Sequence, residues 1–245
     1  MSDIENDMDQ NRPGLNWSWM IGIFLSPRAT FSQMMPSITW KDMTAPFLLL
    51  LVVTLGTQTV IGPLVMDEQM ERIYQRDDLT VEQQEQIIEG MENVMGRNSG
   101  VRPYVIGTLV RVAWFAVLGG VVMFFGAFVL GGEAAFKSAV AIVIFSSLVG
   151  LVELAVKVPL MLQAGSTQVE TGLALLLPGR MSSTLVYRWF HRLDFFVMWK
   201  VGLTALGTAL FFRVSEKRAR WVFFGAWAAV MFLLAWLLDS RIMLA

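Results

Sequence analysis

The sequence lacks cysteine and contains a single histidine. Without cysteine there are no disulfide bonds, thiolate metal ligands or cysteine nucleophiles. One histidine cannot build a histidine-based zinc site. We therefore expect no metal centre and no cofactor.

Charged residues are also scarce, at 16% of the 245 residues, against roughly 25% in a typical soluble domain. Hydrophobic residues make up 55%, and the formal net charge is −1. This balance gives no basic surface for a nucleic acid and indicates a membrane protein. The first nine residues hold four acids, whereas a secretory signal begins with positive charge. We expect no cleaved signal and interpret residues 1–16 as a disordered cytoplasmic tail.

Apolar runs of about 18 or more residues are long enough to cross a bilayer as helices. Five such runs are present, at residues 43–66, 112–132, 138–159, 195–212 and 221–238. Because backbone polar groups in lipid must be paired within a helix, we predict an all-α, polytopic transmembrane bundle of five spans. Residues 41–245 would form this membrane domain.

Two segments outside the spans predict further helices. Residues 17–40 combine tryptophan and phenylalanine with Arg28, which is typical of an amphipathic helical region lying along the interface. Ser26 and Pro27 suit the N-cap and first position of a short helix there. Residues 67–102, with nine acids and four arginines, predict an acidic helical lobe outside the cytoplasm. Thr80 and Gln83 form a capping box that opens a helix over residues 81–95.

The orientation follows from the short connection between the fourth and fifth predicted spans. This basic turn, residues 213–220, contains Arg213, Lys217, Arg218 and Arg220. Positive charge in short loops is retained on the cytoplasmic side. We therefore predict a cytoplasmic N-terminus and an extracytoplasmic C-terminus. Residues 163–192 are predicted to contain surface-lying helices and no span.

Three motifs occur in an order that resembles the Yip-domain family of five-span membrane proteins, in particular its bacterial members. They are FLSPRATF at residues 24–31, GGEAAFK at 131–137 and RLDFFVMWK at 192–200. The resemblance implies five spans with a cytoplasmic N-terminus, here in a bacterial inner membrane. It implies no reaction.

Ionisable residues within or beside the spans form a candidate intramembrane polar cluster. Its members are Arg111, Glu153, Lys157, Asp194 and Lys200. Arg111, Glu153 and Lys200 each lie roughly 9 to 12 Å below the outer helix ends. One hypothesis is a vestibule with excess positive charge that holds an anionic solute or lipid headgroup. The alternative is a structural ion-pair network.

No nucleophile motif or phosphate-binding loop is present, so we predict a non-enzymatic protein. One hypothesis is a scaffold that organises the membrane or recruits partners. Its partners would be the lipid bilayer, anionic lipid headgroups, other proteins or further copies of the chain. The alternative is a transporter or binding protein for a small anionic or amphiphilic solute. Long stretches of the spans contain no ionisable residue, for example 113–130, which favours the scaffold.

Overall fold

The computed structural model describes residues 17–76, 78–97, 102–167, 169 and 194–242. The predictions of a disordered tail at residues 1–16 and of most of the surface-lying helices at 163–192 fall outside these residues. Within them, the regular elements are helices and no strand occurs. The all-α prediction is confirmed.

Nine helices follow one another along the described chain. They are α1 Trp17–Leu25, α2 Pro27–Met34, α3 Trp40–Tyr74, α4 Val81–Arg97, α5 Arg102–Met123, α6 Phe136–Ser147, α7 Val149–Ala164, α8 Phe195–Phe211 and α9 Glu216–Ile242. Helix α5 continues into a π-helical segment, Phe124–Val129. The chain divides into two compact units. The first consists of Met1–Leu49, Leu118–Val149 and Trp199–Ala228, and the second of Leu50–Val117, Gly150–Met198 and Ala229–Ala245.

Three helical segments of the described chain are long and apolar enough to cross a membrane. They are Trp40–Tyr74, Tyr104–Val129 and Phe136–Ala164. Helix α8 is equally apolar in character but shorter, at 17 residues. These segments make the chain a membrane protein built from transmembrane helices. The fourth and fifth spans, on α8 and α9, stay predictions.

Helix α3 extends beyond the predicted first span into the residues of the predicted acidic lobe. It runs without interruption for 35 residues to Tyr74, which corresponds to about 52 Å at 1.5 Å per residue. Residues 67–74 contain acids, glutamine, methionine and arginine, all compatible with a helix, and no glycine or proline that would end it. The first part of the predicted lobe is therefore a continuation of α3.

The capping box at the start of α4 is confirmed. The Thr80 amide donates to Gln83 Oε1 at 3.0 Å, and the Gln83 amide donates to Thr80 Oγ1 at 3.3 Å. The large apolar side chains of this helix are unevenly buried. Ile88 is buried, whereas Val81 and Ile87 are 69% and 40% exposed. A capping box depends on neighbouring residues alone, but burial needs a partner surface.

The segment before α3 forms the two short helices α1 and α2, which pack against each other. Pro27 occupies the first turn of α2 as predicted, but the Ser26 side chain makes no capping hydrogen bond. The Thr30 hydroxyl instead donates to the Ser26 carbonyl oxygen at 3.0 Å. Trp17 and Ile21 on α1 are each 60% exposed. An apolar outer face of this kind suits the predicted interfacial position.

The core of the first unit surrounds α6. The side chains from Ala139 to Ser146 are all buried. The Phe31 ring of α2 meets the Phe211 ring of α8 edge-on, with centroids 6.2 Å apart. The predicted third span is divided at Leu148, where a turn separates α6 from α7. The Leu148 amide donates to the Phe145 carbonyl oxygen, three residues back, at 3.2 Å, and its φ of −58° and ψ of −26° remain helical. The two helices therefore form one apolar segment that is long enough to cross a membrane.

The GGEAAFK motif begins with two glycines that the backbone requires. Gly131 has a φ of +71°, a conformation that costs little only for glycine. The Gly132 amide donates to the Gly126 carbonyl oxygen at 2.9 Å. A Cβ on Gly132 would lie 2.5 Å from the Phe212 carbonyl oxygen. The motif therefore closes directly on the chain leaving α8.

We predict that Gly132→Ala destabilises the protein by about 1 to 3 kcal/mol, because the added methyl overpacks against backbone that cannot move aside. Gly120→Ala is the matched control, since no atom lies within 4 Å of a Cβ built there. Thermal unfolding of the detergent-solubilised protein measures both. Equal melting temperatures for the two variants would contradict the close approach at Gly132.

Candidate functional site

The structure brings three of the five predicted cluster residues into contact, and we call them the ion-pair trio: Glu153, Lys157 and Asp194. The Lys157 ammonium donates to Glu153 Oε1 and to Asp194 Oδ2, each at 2.7 Å. The three side chains are only 15 to 18% exposed. Glu153 and Lys157 are one turn apart on α7, in the favourable order for a helical ion pair.

Asp194 has a second role at the start of α8. Its Oδ1 accepts hydrogen bonds from the backbone amides of Phe196, at 2.7 Å, and Val197, at 3.3 Å. This is the geometry of an N-cap, which satisfies amides that have no partner within the helix. The Lys157 ammonium also lies 5.9 Å from the centroid of the Phe196 ring. One carboxylate thus both begins α8 and binds α7.

The other two predicted members, Arg111 and Lys200, have different surroundings. Among the described residues, Arg111 makes no ion pair with Glu153, Lys157 or Asp194. Its helix neighbours Val110, Val112 and Trp114 are 49 to 63% exposed, which places this part of α5 at the surface of the second unit. Lys200 is half-buried on α8 and belongs to the first unit.

The trio by itself contains two acids and one base, and therefore carries one net negative charge. The predicted vestibule with excess positive charge also includes Arg111 and Lys200, and it stays a prediction. Withdrawing charges from water is costly unless each is paired and hydrogen-bonded. Here the ammonium makes two charge-assisted bonds and one carboxylate is further bound by backbone amides. The arrangement is chemically suited to joining helices.

A second polar contact, at the far ends of α3 and α7, was missed by the sequence reasoning. Glu68 accepts hydrogen bonds from the Ser166 hydroxyl at 2.7 Å and from the Thr167 amide at 2.6 Å. The Thr167 hydroxyl also donates to this carboxylate. Arg72, one turn further along α3, lies 3.9 Å away. The position of Glu68 just after an apolar run is a signal in the sequence that could have indicated a polar contact. No sequence pattern identifies its partners, the first of which follows 98 residues later.

In the first unit, two of the three sequence motifs lie close to distant parts of the chain. Arg28 of the FLSPRATF motif forms an ion pair with Glu216 of α9 at 2.8 Å. A cavity of about 420 Å³ is lined jointly by the GGEAAFK motif and the end of α8. Its lining residues are Met35, Gly131, Gly132, Glu133, Ala134, Ser138, Phe211, Phe212 and Arg213. Among the described residues, no three acidic or histidine side chains converge to hold a metal ion.

Comparison with known proteins returned one match. A family model described as the Yip1 domain matches residues 21–237 of the 245. The matched region extends from α1 into α9 and includes the ion-pair trio. No curated protein and no solved structure matches the chain.

We predict that Asp194→Asn destabilises the protein by about 1 to 2 kcal/mol. Asparagine still caps a helix, so this variant removes only the charge that faces Lys157. Asp194→Ala loses the cap as well, and we expect about 1 kcal/mol more. Unfolding of the detergent-solubilised protein measures both losses. Adding Lys157→Met to Asp194→Asn should recover part of the loss, because no unpaired ammonium then remains.

The control for this series is the exposed pair of Arg76 and Asp78. The Arg76 guanidinium donates to Asp78 Oδ1 at 3.0 Å and lowers the pKa of that carboxyl. Both side chains are more than half exposed, so water screens the pair. Asp78→Asn should therefore cost clearly less than Asp194→Asn. Equal losses, or strictly additive losses for Asp194 and Lys157, would contradict a coupled trio.

Proposed function

This chain belongs to the Yip1 domain family, and from that premise we propose that it is a non-enzymatic membrane scaffold that organises the bilayer or recruits partners to it. In this role it binds lipid, other proteins or further copies of itself through its surfaces. The proposal includes a bacterial inner membrane as its location. No catalytic step is needed for such a function.

The observation that carries the proposal is the closed pairing of Lys157. Its ammonium is held by two carboxylates at 2.7 Å, and Asp194 is held in turn by two backbone amides. A site that binds and releases a charged solute needs groups that exchange partners with that solute. An ammonium held by two carboxylates in this way is instead suited to holding helices in one arrangement.

The interior of the first unit supports the same proposal. Helix α6 buries an apolar run with Ser146 as its buried polar side chain. Thr208 of α8 is also fully buried, and its hydroxyl donates to the Thr204 carbonyl oxygen at 2.7 Å. Moving an isolated charge through such surroundings costs several kcal/mol or more.

The alternative is a transporter or binding protein for a small anionic or amphiphilic solute. One observation favours it: the Ser146 hydroxyl is buried and has no hydrogen-bond partner among the described residues. A buried polar atom without a partner is uncommon. A hydroxyl of this kind could receive a neutral or amphiphilic solute but offers no compensation for a full charge.

The proposed topology has five spans, with α8 and α9 as the fourth and fifth. Helix α8 has 17 residues, about 25 Å at 1.5 Å per residue, close to the roughly 30 Å of a hydrocarbon core. The basic turn after it supports a cytoplasmic location for that connection and for the N-terminus. Helix α4 then lies outside the cytoplasm.

This topology predicts opposite labelling of two single thiols, since the chain has no cysteine of its own. Gln86→Cys lies on an exposed position of α4, and Ser215→Cys lies on an exposed position of the basic turn. An impermeant maleimide applied to intact spheroplasts of a bacterial host should label the first and spare the second. Lysed spheroplasts, in which both should react, provide the control. Reversed labelling would refute the orientation.

The scaffold proposal predicts no protein-dependent ion flux. Purified protein in sealed vesicles should leave the chloride, potassium and proton permeability at the level of protein-free vesicles, because the apolar interior offers no path for charge. The Glu153→Gln variant, measured in the same way, should behave identically. Saturable flux of any charged solute that disappears in Glu153→Gln would reject the scaffold and favour the transporter.

A further inference from the structure

A groove on α9, distinct from the ion-pair trio, combines positive charge with aromatic surface. Its lining residues, which we call the basic groove, are Lys217, Arg220, Trp221 and Phe224. The groove is open to its surroundings and has a volume of about 420 Å³, which is within the range of small-molecule sites. The spacing of three, four and seven residues places all four side chains on one face of the helix.

The positive charge of this groove is not neutralised by the rest of the basic turn. The acid within the turn, Glu216, is paired with Arg28 at 2.8 Å. Among the residues that the structure describes, Lys217 and Arg220 make no ion pair, and both side chains are exposed. The groove therefore presents two cations that are available to an anion.

These cations also oppose the electrostatics of their own helix. Lys217 lies in the first turn of α9, where the helix dipole favours acids and disfavours bases. Arg220 follows less than one turn later. The positions therefore do not stabilise α9 in isolation, and an external anion would offset the repulsion.

The aromatic side of the groove is suited to the membrane interface. Trp221 is 73% exposed, and tryptophan at the end of a span typically lies at the level of the lipid headgroups. The Phe224 ring packs edge-on against the Trp227 ring, with the two ring centroids 6.4 Å apart. Its Cζ also lies 3.8 Å from the position of a Cβ on Gly202 in α8. Phe224 is thus held by its neighbours, while Trp221 is exposed.

We propose that the basic groove binds the headgroup of an anionic phospholipid. Lys217 and Arg220 contact the phosphate and the negatively charged headgroup, while Trp221 and Phe224 pack against the glycerol region and the first acyl carbons. Two basic and two aromatic side chains in one groove match a lipid that has both a charged headgroup and an apolar tail. A free anion would have no use for the aromatic surface. This proposal holds for a scaffold and for a transporter alike, because the groove belongs to neither the trio nor the apolar core of the first unit.

The test measures lipid binding to the full chain in neutral detergent by native mass spectrometry. Phosphatidylglycerol and phosphatidylcholine are titrated separately. Near a membrane surface each base strengthens the binding of anionic lipid roughly fivefold. We therefore expect the double variant Lys217→Gln/Arg220→Gln to weaken phosphatidylglycerol binding about twenty-fivefold. Phosphatidylcholine binding should weaken by less than about fivefold, because the choline cation offsets the charge of the same phosphate. Trp221→Ala should weaken the binding of both lipids.

The matched control is Lys41→Gln/Arg218→Gln, which removes the same charge from exposed positions outside the groove. It should alter phosphatidylglycerol binding less than twofold. Equal losses in the two double variants would mean that diffuse surface charge, and no groove, attracts the lipid. Displacement of the lipid by an equal concentration of inorganic phosphate, or by an acidic peptide, would also overturn the assignment. Unchanged melting temperatures establish that both double variants are folded.

Discussion

The paired ammonium of Lys157 is the constraint on which the second unit depends. A base within an apolar helix is tolerated only when its charge is matched nearby. Glu153 supplies one partner from the same helix turn, and Asp194 supplies the other from the start of α8. Because Asp194 also caps α8, the pairing of one charge decides where a helix begins. The carboxylate of Asp194 thus both neutralises Lys157 and fixes the start of α8.

Polar contacts in this protein join helix ends, and apolar contacts fill the space between. Glu68 binds the residues that follow α7, and Arg28 binds the first residue of α9. The core around α6, by contrast, contains Ser146 as its single polar side chain among the buried residues of that helix. This distribution suits a protein that holds a fixed arrangement of helices in lipid. The basic groove differs, because its charges are matched by nothing in the part of the chain that the structure describes.

Local sequence determined much of this structure. Apolar runs predicted the three helical segments that are long enough to cross a membrane, since this property depends on length and hydropathy alone. The Thr80 and Gln83 capping box and the position of Pro27 in α2 depend on residues within one turn of each other. The pairing of Glu153 with Lys157 is equally local, because residues four apart share a helix face.

Only the tertiary structure decided which of the distant polar residues meet. The sequence predicts a depth for Arg111 similar to that of Glu153, yet Arg111 makes no ion pair with the trio among the described residues. Depth along a helix says nothing about the direction in which a side chain points. Glu68 and Thr167 meet across 99 residues, a pairing that no periodicity encodes. The turn at Leu148 likewise interrupts a run that is continuous in hydropathy. These contacts and this turn depend on how distant segments pack against each other, and the local sequence pattern holds no information about that packing.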